Sequence, residues 1–154
     1  MGRIYDGFDA FFADKGWVRL ENEAEQFFKL FYEGRQGEWE CYAQADEAKE
    51  WAFFYSVYPP RAPEARRPLV AELLIRINWR VPFGSFDMDW SDGEIRFRTG
   101  LDFEGSETTL SLMRALVIPN LAMMERHWAE LAAVVENGQT PEAALAAAEG
   151  SEDA

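Results

Sequence analysis

The stretch FGSFDMDWSDGEIRFRTGLDF, residues 83–103, decides how the chain is read, because it alternates apolar and charged side chains around one Asp92-Gly93 pair. Asp-Gly between two alternating runs signals a two-residue hairpin loop whose central residues take positive φ. With that loop length Ser91 faces Glu94, Trp90 faces Ile95, Met88 faces Phe97, Phe86 faces Thr99 and Gly84 faces Leu101. Side chains alternate across a strand, so Trp90, Met88, Phe86, Ile95, Phe97 and Leu101 share an apolar face. The opposite face sets Asp89 against Arg96 and Asp87 against Arg98, each pair worth about 0.2–1 kcal/mol. Asp87, Asp89 and Ser91 also sit at the alternate positions of a calcium loop. That reading fails, since the required glycine is Asp92 and the required closing glutamate is Arg98.

Outward from the hairpin the pattern is helical on both sides. Residues 63–81 place Leu69, Val70, Leu73, Leu74 and Ile77 on one face. A long helix from about Thr108 to Glu136 carries Leu110, Met113, Val117, Leu121, Met124, Trp128, Leu131 and Val135 at alternating spacings of three and four, a packing stripe. Pro119 inside it removes a backbone hydrogen bond and predicts a kink or a break into two segments. Upstream, Ile4, Phe8, Phe11 and Phe12 have helical spacing and Gly16 ends the run. Residues 26–33, 38–45 and 51–58 read as strands, the last stopped by Pro59-Pro60.

The expected fold is therefore α+β, one antiparallel sheet of about five strands with helices packed on it, in the order α-β-β-β-α-β-β-α. One domain accounts for residues 1–137. Residues 138–154 are acidic and alanine-rich, with no basic residue, and read as a solvated tail. Within it a short helix over Pro141–Ala148, capped by Thr140, precedes a disordered acidic end.

Composition excludes several function classes. Acids outnumber basic residues 28 to 15, a formal charge of −13, so nucleic acid is not an expected partner. No apolar run approaches the roughly 20 residues needed to span a bilayer, and the N-terminal stretch is too acidic for a signal peptide, so the cytoplasm is expected. Cys41 stands alone, which excludes an intramolecular disulfide and a cysteine zinc cluster. His127 is the only histidine, and no phosphate-binding glycine loop is present. No catalytic, metal or cofactor residue is assigned. Arg61, Arg66 and Arg67 could grip an acidic segment, but solvated arginines in a loop leading into the helix are the preferred reading.

The strand faces carry the functional argument. Phe27 and Phe31 lie opposite Phe28, Leu30 and Tyr32, and Trp51, Phe53 and Val57 lie opposite Phe54 and Tyr58. Both faces are apolar. Three helices cover one of them, and an uncovered apolar face marks a homodimer contact or a binding groove unless helices cover both. The candidate partner-contact residues are Phe28, Leu30, Tyr32, Phe54 and Tyr58.

Asn78 at the end of the middle helix, the Gly84-x-Phe86 strand and the turn into DGEIRFR, 92–98, together resemble the YbjN family, over roughly residues 5–137. That resemblance implies the fold of type III secretion chaperones, small acidic dimers that hold unfolded partner segments on apolar patches, and it implies no catalytic residues. The expected function is non-enzymatic protein or peptide binding, chaperone-like or regulatory. The alternative is a small-ligand sensor or a minor enzyme using a pocket between sheet and helix.

Overall fold

The computed structural model describes residues 2–152, the last two by backbone alone. Helix α1, Arg3–Lys15, buries Ile4, Phe8, Phe11 and Phe12 along one stripe and stops at Gly16, whose φ of 68° lets its N–H return to the Ala13 carbonyl. Strands β1 (Leu20–Asn22), β2 (Phe27–Glu33), β3 (Glu38–Asp46) and β4 (Trp51–Tyr58) follow. A short 3-10 turn at Glu64–Arg66 leads into α2, Arg67–Asn78. Strands β5 (Ser85–Met88) and β6 (Ile95–Asp102), the long helix α3 (Leu110–Val135) and α4 (Pro141–Glu152) complete the chain. The strands form one antiparallel sheet in the order β1-β2-β3-β4-β6-β5. The expected fold class stands. The sixth strand, β1, was missed because its three residues, Leu-Glu-Asn, show no alternation and little burial.

The helices gather on one face of the sheet. Tyr5, Phe8 and Phe12 of α1 surround Phe28 of β2, and Trp128 of α3 packs on Trp39 of β3 and Tyr58 of β4. Buried and part-exposed side chains alternate strictly along β3 and β4, as one covered face demands. No described helix is long and apolar enough to cross a membrane.

The buried carboxamide of Asn120 fixes α3 on this face. Its Nδ2 donates to the Phe54 carbonyl at 2.8 Å and the Phe97 carbonyl at 3.1 Å, while Ser56 Oγ donates to its Oδ1 at 2.6 Å. Thr99 Oγ1 adds a 2.6 Å bond to the Leu116 carbonyl, one turn before Pro119. One side chain thus holds β4, β6 and α3 together, and α3 runs undivided through Pro119 instead of splitting into two helices.

The hairpin register corrects the sequence reading. Asp87 faces Arg96, Phe86 faces Phe97 and Met88 faces Ile95, two residues away from the expected pairing. Gly93 has φ of 80°, but Asp92 is not at positive φ, so the two-residue turn does not form. Instead Asp89 N–H donates to the Glu94 carbonyl at 2.9 Å and Gly93 N–H to the Asp89 carbonyl at 2.7 Å, leaving Trp90–Gly93 as a four-residue loop. The Asp89 carboxylate stabilises it by accepting from Ser91 N–H at 2.9 Å and Ser91 Oγ at 2.6 Å. A shift by two preserves the faces, so Phe86, Ile95 and Phe97 are buried as expected, but Trp90 moves into the exposed loop. Asp87 bonds Arg96 at 2.7 Å and lies 3.9 Å from Arg98.

Residues 138–152 are not a solvated tail. Thr140 caps α4 as expected, but the helix extends past Ala148, and Pro141 and Ala144 are buried against α2 and α3. Arg80 bonds Glu149 at 2.7 Å. Of the predicted disordered end, residues 153–154 lie outside the described residues. The three arginines also have structural tasks. Arg66 donates to the carbonyls of Val134 and Gln139, Arg67 to those of Ala62 and Trp90, and Arg61 lies 3.6 Å from Asp92.

Two outcomes follow from these contacts. Replacing Asn120 by Ala should lower stability by about 1–3 kcal/mol in urea unfolding, the cost of leaving buried polar groups unpaired. A double-mutant cycle should give Asp87–Arg96 a coupling of about 0.2–1 kcal/mol, modest because both side chains are partly exposed, and Asp87–Arg98 a smaller one.

Candidate peptide-contact groove

Unequal strand lengths create the site. Gly34 N–H bonds the Gly37 carbonyl and Ala45 N–H bonds the Gln26 carbonyl, which makes even-numbered residues of β2 the partners of β3. Odd-numbered residues turn their N–H and C=O to the opposite edge. Phe27 and Lys29 meet Asn22 and Leu20 of β1 there, but β1 begins at Leu20 and no described strand pairs with Phe31 and Glu33 on that side. The chain leaves the edge because Gly16 ends α1 in a left-handed turn and Trp17 then anchors on Phe11, Phe12 and Tyr32.

Beneath the bare half-edge lies a recess of mixed lining, aromatic and aliphatic side chains together with Glu33. A cavity of about 350 Å³ is lined by Trp17, Val18, Leu30, Tyr32, Cys41, Phe54 and Leu121. It continues into a second of about 500 Å³ bounded by Trp17, Tyr32, Ile118, Leu121, Ala122 and Glu125. Glu125 accepts from Arg35 N–H at 2.8 Å, and its other oxygen is shielded from solvent with no partner. The recess has the form of a groove running from the end of α1 to the middle of α3.

The five candidate contact residues divide across this geometry. Phe28, Phe54 and Tyr58 are buried core residues under α1 and α3 and form no exposed row. Leu30 is also buried, though with Phe54 it lines the floor of the recess, and Tyr32 stands half-buried at the mouth. The helices cover the even-numbered row of both strands, so the uncovered face carries Phe27, Phe31, Trp51, Phe53 and Val57. Two apolar rows gave the sequence no means of choosing between them. Trp17 and Ile118 were missed; the helix stop at Gly16 followed at once by a tryptophan was the available signal for the first.

The uncovered face largely satisfies itself. Phe53 stacks on Tyr55 at 6.2 Å, Arg96 lies 4.5 Å over Tyr55, and Lys49 lies 4.8 Å over Trp51. Tyr42 donates to Glu40 at 2.9 Å and Lys29 bonds it at 3.2 Å, holding the Glu40 carboxyl below its ordinary value.

Cysteine–histidine chemistry is not assembled. The Cys41 sulfur lies 3.8 Å from Ser56 Oγ, while His127 Nδ1 bonds Glu130 at 3.2 Å and its ring packs edge-on to Phe86. Burial pushes the Cys41 thiol up to about 12.

Asn78 explains the soft motif seen in the sequence. Its carboxamide accepts from Phe86 N–H at 2.8 Å and donates to the Phe86 carbonyl at 2.9 Å, closing the outer edge of β5 with a side chain. Across residues 6–127 the chain matches the family described as "YbjN: Putative bacterial sensory transduction regulator". The chain belongs to the YbjN family. Solved structures with this fold include YbjN from E. coli, described as a putative transcription regulator, with a TM-score of 0.57 at 16% identity over 81% of this chain and 91% of that one. The ExsC–ExsE complex gives a TM-score of 0.56 at 15% identity, covering 82% and 96% of the two chains. The HopA1–SchA chaperone–effector complex gives 0.54 at 14%, covering 82% and 94%. At these identities the likeness is one of fold. No curated protein matches the sequence.

The thiol position yields a pH prediction. Because the folded value lies above the unfolded one, the unfolded chain ionises first as pH rises, and stability should fall between about pH 9 and pH 12. A thiol reagent at pH 8 should modify Cys41 only as fast as the protein opens, with a rate that rises in urea.

Proposed function

We propose that this YbjN-family protein is a non-enzymatic, chaperone-like adaptor that holds an extended segment of a protein partner along the bare half of β2. The observation that carries the reading is the coincidence of an unpaired strand edge at Phe31 and Glu33 with the recess beneath Trp17 and Tyr32. A segment added there gains main-chain hydrogen bonds from the edge and seats alternate side chains in the recess. A chaperone–effector complex and a second two-protein complex among the fold neighbours support this use of the fold.

The adaptor works as a homodimer in this proposal. Ile75 and Trp79 lie one turn apart at the end of α2 and are 71% and 90% exposed, and Phe83 in the following loop is 68% exposed. Large apolar side chains displayed together suit a self-complementary contact.

Capture of native partners by the tagged protein should fall about tenfold in Phe31→Pro, which removes one outward N–H, and in Ile118→Asp, which puts a charge in the groove, with circular dichroism unchanged. Retained capture in both variants, or a small molecule co-purifying in the recess in place of a protein, would overturn the adaptor reading. Sedimentation should show a dimer at micromolar concentration that Ile75→Glu with Trp79→Glu dissociates; a 17.7 kDa monomer throughout would remove the dimer.

A further inference from the structure

A second bare edge lies across the sheet. Phe103 N–H bonds the Glu50 carbonyl and Asp89 N–H bonds the Glu94 carbonyl, so odd-numbered residues of β6 pair with β4 and even-numbered ones face β5. β5 pairs only as far as Ser85 with Arg98, and Gly84, at φ of 76°, turns the chain away. The N–H and C=O of Gly100 and Asp102 therefore point outward past the end of β5, with no backbone partner on that side among the described residues. On the helix side of this edge opens a cavity of about 270 Å³, lined by Phe83, Leu101, Leu112, Ala115, Leu116 and Pro119. The lining is almost wholly apolar, and its volume suits one or two aliphatic side chains. Exposed Asp102, Glu104 and Glu107 follow the edge on a chain of net charge −13; Arg98 shares the sheet face of Asp102 but lies beside Asp87, and the Arg3 guanidinium is bonded to the Phe103 and Ser106 carbonyls and to Glu50.

We infer that the Gly100–Asp102 edge is a second strand-addition site, which takes an extended segment of a protein partner carrying an aliphatic side chain for the α3 cavity and basic residues beside it. The segment pairs with the outward N–H and C=O of Gly100 and Asp102. A strand laid about 4.8 Å from β6 directs alternate side chains to the helix side, where the cavity lies. The acidic rim selects lysine or arginine on either side of the aliphatic anchor and rejects acidic flanks. Asn78 makes the choice of edge specific, because its carboxamide already occupies the outward groups of Phe86 in β5. The site deepens the adaptor reading but uses residues separate from the β2 groove, so each stands or falls alone.

The test uses the full chain and a fluorescein-labelled heptapeptide with a central leucine, β-branched neighbours and a lysine at each end, followed by fluorescence anisotropy. Asp102→Pro removes one outward N–H at a strand end without touching the β4 pairing, and Ala115→Phe fills the cavity from an exposed helix position. Each should weaken the probe about tenfold, whereas Asp102→Asn should weaken it less and Phe31→Pro not at all. Replacing the probe lysines by glutamates should also weaken binding, and hydrogen exchange should show Gly100 and Asp102 protected by the bound probe. No binding at millimolar probe, or binding unaffected by Asp102→Pro and Ala115→Phe, overturns the site. Loss with Phe31→Pro alone assigns the probe to the β2 groove and also overturns it. A dimer that Asp102→Pro dissociates in sedimentation shows a second copy on this edge instead, and overturns the partner-segment assignment.

Discussion

The Asn120 carboxamide decides where the long helix lies, and the rest of the surface depends on that. Hydrogen bonds are directional and short, so one amide bonded to carbonyls of both β4 and β6 fixes α3 on the sheet more narrowly than apolar packing alone. The recess at Leu121 and the cavity at Leu112 and Leu116 are two ends of the space between α3 and the sheet on either side of that tie. An undivided helix through Pro119 is compatible with the same anchor, since Thr99 bonds the Leu116 carbonyl in the turn before the proline.

Strand-edge accounting gives the second organising constraint. A strand that outlasts its neighbour exposes paired donors and acceptors, which proteins commonly cover, shorten or charge. This fold does so selectively. Asn78 closes β5, while among the described residues β2 beyond Lys29 and β6 beyond Arg98 remain bare, the first beside a hollow of mixed lining and the second beside an apolar one. The uncovered sheet face, by contrast, lays its cations over its own aromatic rings, and among the described residues of its strands Leu20, Phe31 and Trp51 are the large exposed apolar ones. Unpaired main-chain groups therefore concentrate at these two edges.

The hairpin shows how far local pattern reaches. Alternation placed Phe86, Ile95 and Phe97 on the buried face, and the buried set agrees. The partner of each residue was wrong by two because a shift of two leaves every face unchanged, and the loop was decided by the Asp89 carboxylate capping Ser91. In β2 and β4 the limitation was sharper. Either row could have faced the helices, and Phe28, Leu30, Phe54 and Tyr58 went inside. The α4 contact was illegible for a different reason: small alanine side chains carry little hydrophobic signal, yet their size is what lets Ala144 approach α2 and α3 closely.

The sequence by itself determined the order of the elements other than β1, the strands over 26–33, 38–45 and 51–58, the cap at Thr140, the stripe of α3 and the family to which the chain belongs, because periodicity, turn chemistry and capping are set by residues within a few positions of one another. Tertiary structure alone decided which apolar row is covered, which strand edges stay bare and where the hollows open. Those outcomes depend on contacts such as Asn120 with Phe54 or Asn78 with Phe86, and on strands ending at different lengths beside neighbours distant in sequence, quantities that no local pattern encodes.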